Sequence, residues 1–222
     1  MERPDLRHGG WDAVLFDVDG TLIDAVANQR RVWETWARRN GTDPERIYRI
    51  ALRTRPLETF AAVLPEADPL LCLAEFQRLE DADAESGDYR AFDGAAELLG
   101  ALPDGRWALV TSNYEHRVRV RFRRTGLPMP RVVIDAEGAE RGKPHPTPYL
   151  LAAARLGAEP AACLVIEDSA SGVAAGVAAG MTVWTVNAAD APDGSHRHFP
   201  SLAAAAAVLL TADNSPGTCR AG

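Results

Sequence analysis

The stretch AVLFDVDG, Ala13 to Gly20, decides how the rest of the chain is read. Val14, Leu15 and Phe16 run without a polar break, which predicts a strand buried on both faces. The run stops at Asp17, and Gly20 supplies a turn. Three further apolar runs follow: WALVTSN (Trp107 to Asn113), RVVID (Arg131 to Asp135) and CLVIEDS (Cys163 to Ser169), each ending in polar residues. MTVWTV (Met181 to Val186) follows a helix-like stretch. Gly94 to Leu102, Pro148 to Leu156 and Ser171 to Ala179 read as helices between the strands. Strand and helix in alternation predict an α/β fold, a Rossmann-like doubly wound parallel sheet with helices on both faces.

Residues 26–90 break the rhythm. Val32, Trp33 and Trp36 recur at helical spacing, as do Ile47, Ile50 and Ala51, and no strand pattern is present. This predicts a small all-helical insertion, with the core formed by 11–25 and 91–212. Asp68 and Pro69 suit the N-cap and first position of one of its helices. Trp33 and Trp36 are read as core rather than as a sugar-stacking platform. Arg117 to Arg124 (RVRVRFRR) alternates like a strand but lies where a helix is needed; it is read as a helix with a solvated arginine face. Leu202 to Leu210 reads as a last helix, and residues 1–10 and 213–222 as flexible tails.

The 222 residues are 46% hydrophobic and 25% charged, with a formal net charge of -7. That charge disfavours nucleic acid and anionic membrane surfaces as partners. No apolar run reaches the about 20 residues of a membrane span, and MERPDLRHGG has no signal-peptide core. Cys72, Cys163 and Cys219 form neither a CxxC pair nor an even set, so no disulfide framework or zinc site is expected. A cytoplasmic protein, monomeric or weakly dimeric, is the expectation.

In an open parallel sheet the carboxyl ends of the strands form the ligand-binding edge. They deliver two kinds of group here. Asp17 and Asp19, two residues apart, and the pair Glu167–Asp168 are acidic and would repel one another unless a hard divalent cation offset the charge. Thr111, Ser112 and Asn113 supply hydroxyl, amide and backbone donors that suit phosphate oxygens, and Lys143 can neutralise a carboxylate and a phosphoryl group together.

The motifs DVDGTLID (Asp17 to Asp24), VTSN, GKPHPTPY and VIEDSASG (Val165 to Gly172) occur in that order. In them the chain resembles the haloacid dehalogenase superfamily, from about Trp11 to about Leu210. The insertion resembles the cap domain placed after that superfamily's first motif. GRWALVTSN and GKPHPTPYLLAA are similar to its sugar-phosphatase and glycerol-phosphatase branch. The resemblance implies a magnesium-dependent phosphomonoester hydrolase of a small phosphorylated metabolite. Asp17 would be the nucleophile, forming an aspartyl phosphate, and Asp19 the acid and base. Thr111, Ser112, Asn113 and Lys143 would hold phosphate. Mg²⁺ would lie on the Asp17 carboxylate, the Asp19 carbonyl and Asp168, with Glu167 acting through water. Arg55 in the cap would contact the substrate, although the usual preceding Gly is absent and Arg53 competes.

Four other readings belong beside this one. A dehalogenase or phosphonate hydrolase would not need Asp19. A phosphosugar mutase of the β-phosphoglucomutase type shares the DxD, but its relatives carry a His where Gln29 stands here. A catalytically inactive binding protein on the same scaffold would be expected to have lost Asp17, Asp19, Lys143 or Asp168, and all are present.

Overall fold

The computed structural model describes residues 10–52, 54 and 56–211. Along the chain, β1 (Ala13–Phe16) and the two-residue β2 (Ile23–Asp24) precede four helices. These are α1 (Val26–Arg39), α2 (Pro44–Ala51), α3 (Pro56–Val63) and α4 (Pro69–Ser86). Then come β3 (Arg90–Ala91), α5 (Ala95–Ala101), β4 (Trp107–Val110), α6 (Glu115–Thr125), β5 (Val132–Ile134) and α7 (Thr147–Leu156). The chain closes with β6 (Cys163–Glu167), α8 (Ala170–Ala178), β7 (Thr182–Thr185), β8 (Arg197–His198) and α9 (Leu202–Thr211). It divides into two compact units, one reaching Asp24 and resuming at Arg90, the other Ala25–Tyr89.

In the first unit the sheet order is β5-β4-β1-β6-β7-β8, with every neighbouring pair parallel. The order leaves β1 in both directions, so β1 lies at the topological switch point and its carboxyl end opens into the ligand crevice of such folds. All of Ala13–Phe16 is buried, as a central strand covered on both faces requires. Ala13 and Leu15 pack with Val110, Val165, Val183 and the α7 residues Tyr149, Ala152 and Ala153. Val14 and Phe16 face the other way, with Trp107 edge-on to Phe16 at a centroid distance of 6.2 Å. Full burial of such side chains stabilises the sheet by roughly 1.5–3 kcal/mol each.

The five strands expected from apolar runs are all present, and α6 is a helix. Its arginines divide, however. Arg119, Arg123 and Arg124 are exposed, whereas Arg117 and Arg121 are buried beside Val118 and Phe122. The solvated-face reading fails for those two because positions 117, 118, 121 and 122 share one side of a helix. β2 and β3 form an antiparallel ribbon, Ile23 opposite Ala91, too short to register as a periodic pattern.

Helices are the only regular elements among the described residues of the second unit. Its core is Trp33, Trp36, Ile47, Phe60 and Phe76, with Trp33 and Phe76 centroids 4.0 Å apart. Both tryptophans are core residues. The Asp68 side chain accepts from the Leu70 N–H at 2.8 Å, with Pro69 at the first helical position.

Candidate active site

Asp17 directly follows β1, and the chain then turns sharply. The N–H groups of Leu22 and Ile23 return to the Val18 carbonyl at 2.9 and 3.0 Å. Gly20 has a φ of +98°, and a Cβ there would lie 1.9 Å from Asp168 Oδ2. Only glycine permits this turn to press against the end of β6. Asn187, just beyond β7, clamps the turn from outside. Its Nδ2 donates to the carbonyls of Gly20 and Thr21 at 2.8 and 3.1 Å, and its Oδ1 accepts from the Leu202 N–H.

Lys143 reaches the same place from the loop after β5. Its Nζ donates to Asp17 Oδ1 at 2.7 Å, Glu167 Oε1 at 2.6 Å and the Val110 carbonyl at 2.8 Å. Glu167 is fully buried. Its Oε1 also accepts from the Tyr149 hydroxyl, and its Oε2 accepts from the N–H groups of Asp168 and Ser169 and from the Ser169 hydroxyl. Gly172 makes this possible, since a Cβ there would lie 1.6 Å from Glu167 Oε1. The start of α8, with its outward N–H groups, thus closes on a carboxylate.

Burial raises the Asp17 carboxyl well above its ordinary range. Lys143 pulls it down, and the charges of Glu167 and Asp168 push it up again. Burial and then Glu167 push Asp168 up to about 7. For Glu167 the upward push of burial is overcome by Lys143 and by hydrogen bonds from Ser169 and Tyr149, so its carboxyl is held low. Burial alone would depress the Lys143 ammonium, but Asp17 and Glu167 outweigh it and hold it well above the ordinary value. Lys143 is thus ion-paired with both Asp17 and Glu167, and the carboxyls of Asp17 and Asp168 are the two held above their ordinary range.

Asp19 follows on the same turn. Its Oδ1 accepts from Arg121 Nη1 at 2.6 Å and its Oδ2 from Asn113 Nδ2 at 2.9 Å. Thr111 is buried, and its Oγ1 accepts from the Asn113 N–H at 3.0 Å. Ser112 is exposed at the end of β4. Arg55, and its competitor Arg53, lie outside the described residues.

A family model described as haloacid dehalogenase-like hydrolase matches residues 11–180. The chain belongs to that family. Over 185 residues it is 43% identical to "Hexitol phosphatase A" of Escherichia coli, covering 80% of this chain and 84% of that one. It is 29% identical over 188 residues to "Glycerol-1-phosphate phosphohydrolase 2" of Saccharomyces cerevisiae, covering 78% and 73%. A crystal structure of CbbY from Rhodobacter sphaeroides with xylulose-(1,5)bisphosphate aligns with a TM-score of 0.73 at 25% identity, covering 87% and 95%.

For a haloacid dehalogenase-like hydrolase the donor set fits a hard cation. Oxygens of Asp17, Glu167 and Asp168 lie within 4.8 Å of one another, and all-oxygen donors suit Mg²⁺. Among the described residues Asp168 Oδ1 accepts a long hydrogen bond from the Thr21 hydroxyl at 3.4 Å. The oxygens of Glu167 are committed to the donors named above. The sequence reading of this hydrolase missed Arg121, Tyr149 and Asn187. Arg121 and Asn187 sit outside the quoted motifs, and Tyr149 closes the motif GKPHPTPY without having been singled out; the signal for Arg121 was its placement one turn from Val118, beside Phe122. The reading of Asn113 as a phosphate donor also meets a competitor, because its amide is engaged with Asp19. No helix among the described residues is long and apolar enough to cross a membrane.

Proposed function

We propose that this hydrolase removes the phosphoryl group from a small sugar or polyol phosphate, magnesium-dependently, through an aspartyl phosphate on Asp17. The observation that carries the reading is the Lys143 ammonium bridging Asp17 and Glu167 at 2.7 and 2.6 Å beside Asp168. A carboxylate meets an anionic phosphate unfavourably in a dry site unless cations are already in place.

An oxygen of Asp17 attacks phosphorus, and the bond to the leaving oxygen breaks as Asp19 gives that oxygen a proton. Water then loses a proton to Asp19 and attacks phosphorus. The bond to Asp17 breaks, and inorganic phosphate leaves. The Thr111 hydroxyl, the Ser112 N–H and Lys143 hold the phosphoryl oxygens, while Asn113 holds Asp19. Mg²⁺, held by the Asp17 carboxylate, the Asp19 carbonyl and Asp168 with Glu167 behind them, would supply charge neutralisation when bound. The choice of sugar or polyol phosphates follows the names of the relatives, and Arg55 remains the proposed substrate contact of the cap.

Phosphate release from hexitol phosphates, glycerol 1-phosphate and phosphoglycolate, with and without Mg²⁺, tests this. Asp17→Asn is expected to lower kcat at least about 10³-fold. A loss of less than about tenfold would remove Asp17 as nucleophile. Conversion of glucose 1-phosphate to an isomer, rather than release of phosphate, would make the enzyme a mutase. The proposal places the enzyme in the cytoplasm as a monomer or weak dimer, the latter checked by sedimentation.

A further inference from the structure

We infer that Arg121 is a positioning residue that fixes the Asp19 carboxylate for its proton transfers. The inference rests on the phosphatase reading and concerns one atom pair, Arg121 Nη1 and Asp19 Oδ1, 2.6 Å apart. Their side chains are 3% and 12% exposed, respectively. Placing a guanidinium beside Val118 and Phe122 costs desolvation that an apolar residue there would avoid, so its presence there needs a reason. Stability is a poor one, because buried ion pairs seldom stabilise more than a well-packed apolar replacement.

The geometry supplies a better reason. Asp19 has only two side-chain torsions and, unheld, would sample several rotamers. Arg121 takes one oxygen and Asn113 the other, so the carboxylate is fixed from both sides. A carboxylate has about four acceptor sites, and two of them remain for the travelling proton. A guanidinium N–H on Oδ1 is compatible with either protonation state, since Oδ2 can carry the proton. Displacement of a reacting group by about 1 Å costs on the order of 10²-fold in rate.

The test uses a leaving group that needs a proton and one that does not. Benzyl phosphate leaves as an alkoxide, and p-nitrophenyl phosphate as a stable phenolate. Because kcat/KM reports steps up to phosphoryl transfer onto Asp17, it isolates the acid role of Asp19. With saturating Mg²⁺, Arg121→Met is expected to lose about 10²-fold in kcat/KM on benzyl phosphate and less than about fivefold on p-nitrophenyl phosphate. Arg121→Lys should recover at least about tenfold of the benzyl loss. The ratio of the two losses within one preparation does not depend on the fraction of molecules folded. If Arg121→Met fails to fold, Arg121→Lys carries the test through the same ratio.

Equal losses on both substrates would assign Arg121 to phosphate binding or to folding and overturn the inference, as would no loss. Asp17→Asn and Asp19→Asn separate this from the underlying reading. Activity retained in Asp17→Asn, or no leaving-group split in Asp19→Asn, would sink the phosphatase mechanism itself. A split in Asp19→Asn without one in either Arg121 variant would sink only the role of Arg121.

Discussion

At the scale of single residues the site is a set of hydrogen-bond assignments, and Glu167 has the most demanding one. It accepts from Lys143, Tyr149, Ser169 and the Asp168 N–H while fully buried. Its charge holds the ammonium in place, whereas Asp168, which accepts a long hydrogen bond from Thr21, is the proposed metal ligand. The two carboxylates should therefore respond differently to neutralisation. Glu167→Gln is expected to lower kcat about tenfold or more while shifting half-saturation by Mg²⁺ less than about threefold; Asp168→Asn should shift Mg²⁺ half-saturation by more than about tenfold. Magnesium titrations of phosphate release compare them directly. A larger Mg²⁺ shift in Glu167→Gln than in Asp168→Asn would exchange the roles of the two carboxylates.

Elements place these residues by simple rules. Parallel strands put all their carboxyl ends on one edge, so β1, β4 and β6 deliver Asp17, Thr111 and Glu167 together whatever the intervening sequence. Helices act through their starts. α8 begins against Glu167, with the Ser169 hydroxyl accepting from the Gly172 N–H at 3.1 Å. α4 begins at Asp68, whose carboxylate accepts from Leu70 on an exposed surface. Asp68→Ala is expected to destabilise α4 by about 1 kcal/mol. Amide exchange read by mass spectrometry should then quicken across Pro69–Ser86 and stay unchanged in α7. Equal quickening in both would mean that the two units open as one cooperative block. α6 shows where pattern reading stops. Its helical state followed from its place between β4 and β5, but the burial of Arg117 and Arg121 did not, because a solvated face is the ordinary place for a charge.

For the whole molecule, excess negative charge ties stability to pH and to cations. Asp168, at about 7 in the folded protein, is neutral there over a range where the unfolded chain, with an ordinary value of about 3.9, is already ionised. The folded state thus binds more protons between those values, and stability falls as pH rises through them. This contribution is complete below the lower value and lost above the upper. Asp17 is raised in the same sense. Lys143, raised, contributes until strongly alkaline pH. Glu167, lowered, contributes until pH falls below the ordinary glutamate range. Without divalent cations the urea midpoint should therefore be higher at about pH 5 than at about pH 7.5. Each extra proton held by the folded state changes stability by at most about 1.4 kcal/mol per pH step of one. Added Mg²⁺ should raise the midpoint more at the higher pH, where the carboxylates are free to bind it. A flat profile, or one rising with pH, would contradict the raised carboxyls of Asp17 and Asp168.

Sequence alone determined the alternation of strands and helices, the helical stretch between β1 and the rest of the sheet, and the residues Asp17, Thr111, Glu167 and Asp168 at the carboxyl ends of β1, β4 and β6. Those features are local: apolar period and run length report which face is buried, and a parallel sheet then places the ends. Tertiary structure alone decided that Arg121 meets Asp19 across 102 positions of sequence, that Asn187 clamps Gly20, and that Glu167 anchors Lys143. Hydrogen-bond partners are chosen by distance in the folded chain, and no periodicity encodes a distance between residues on different elements.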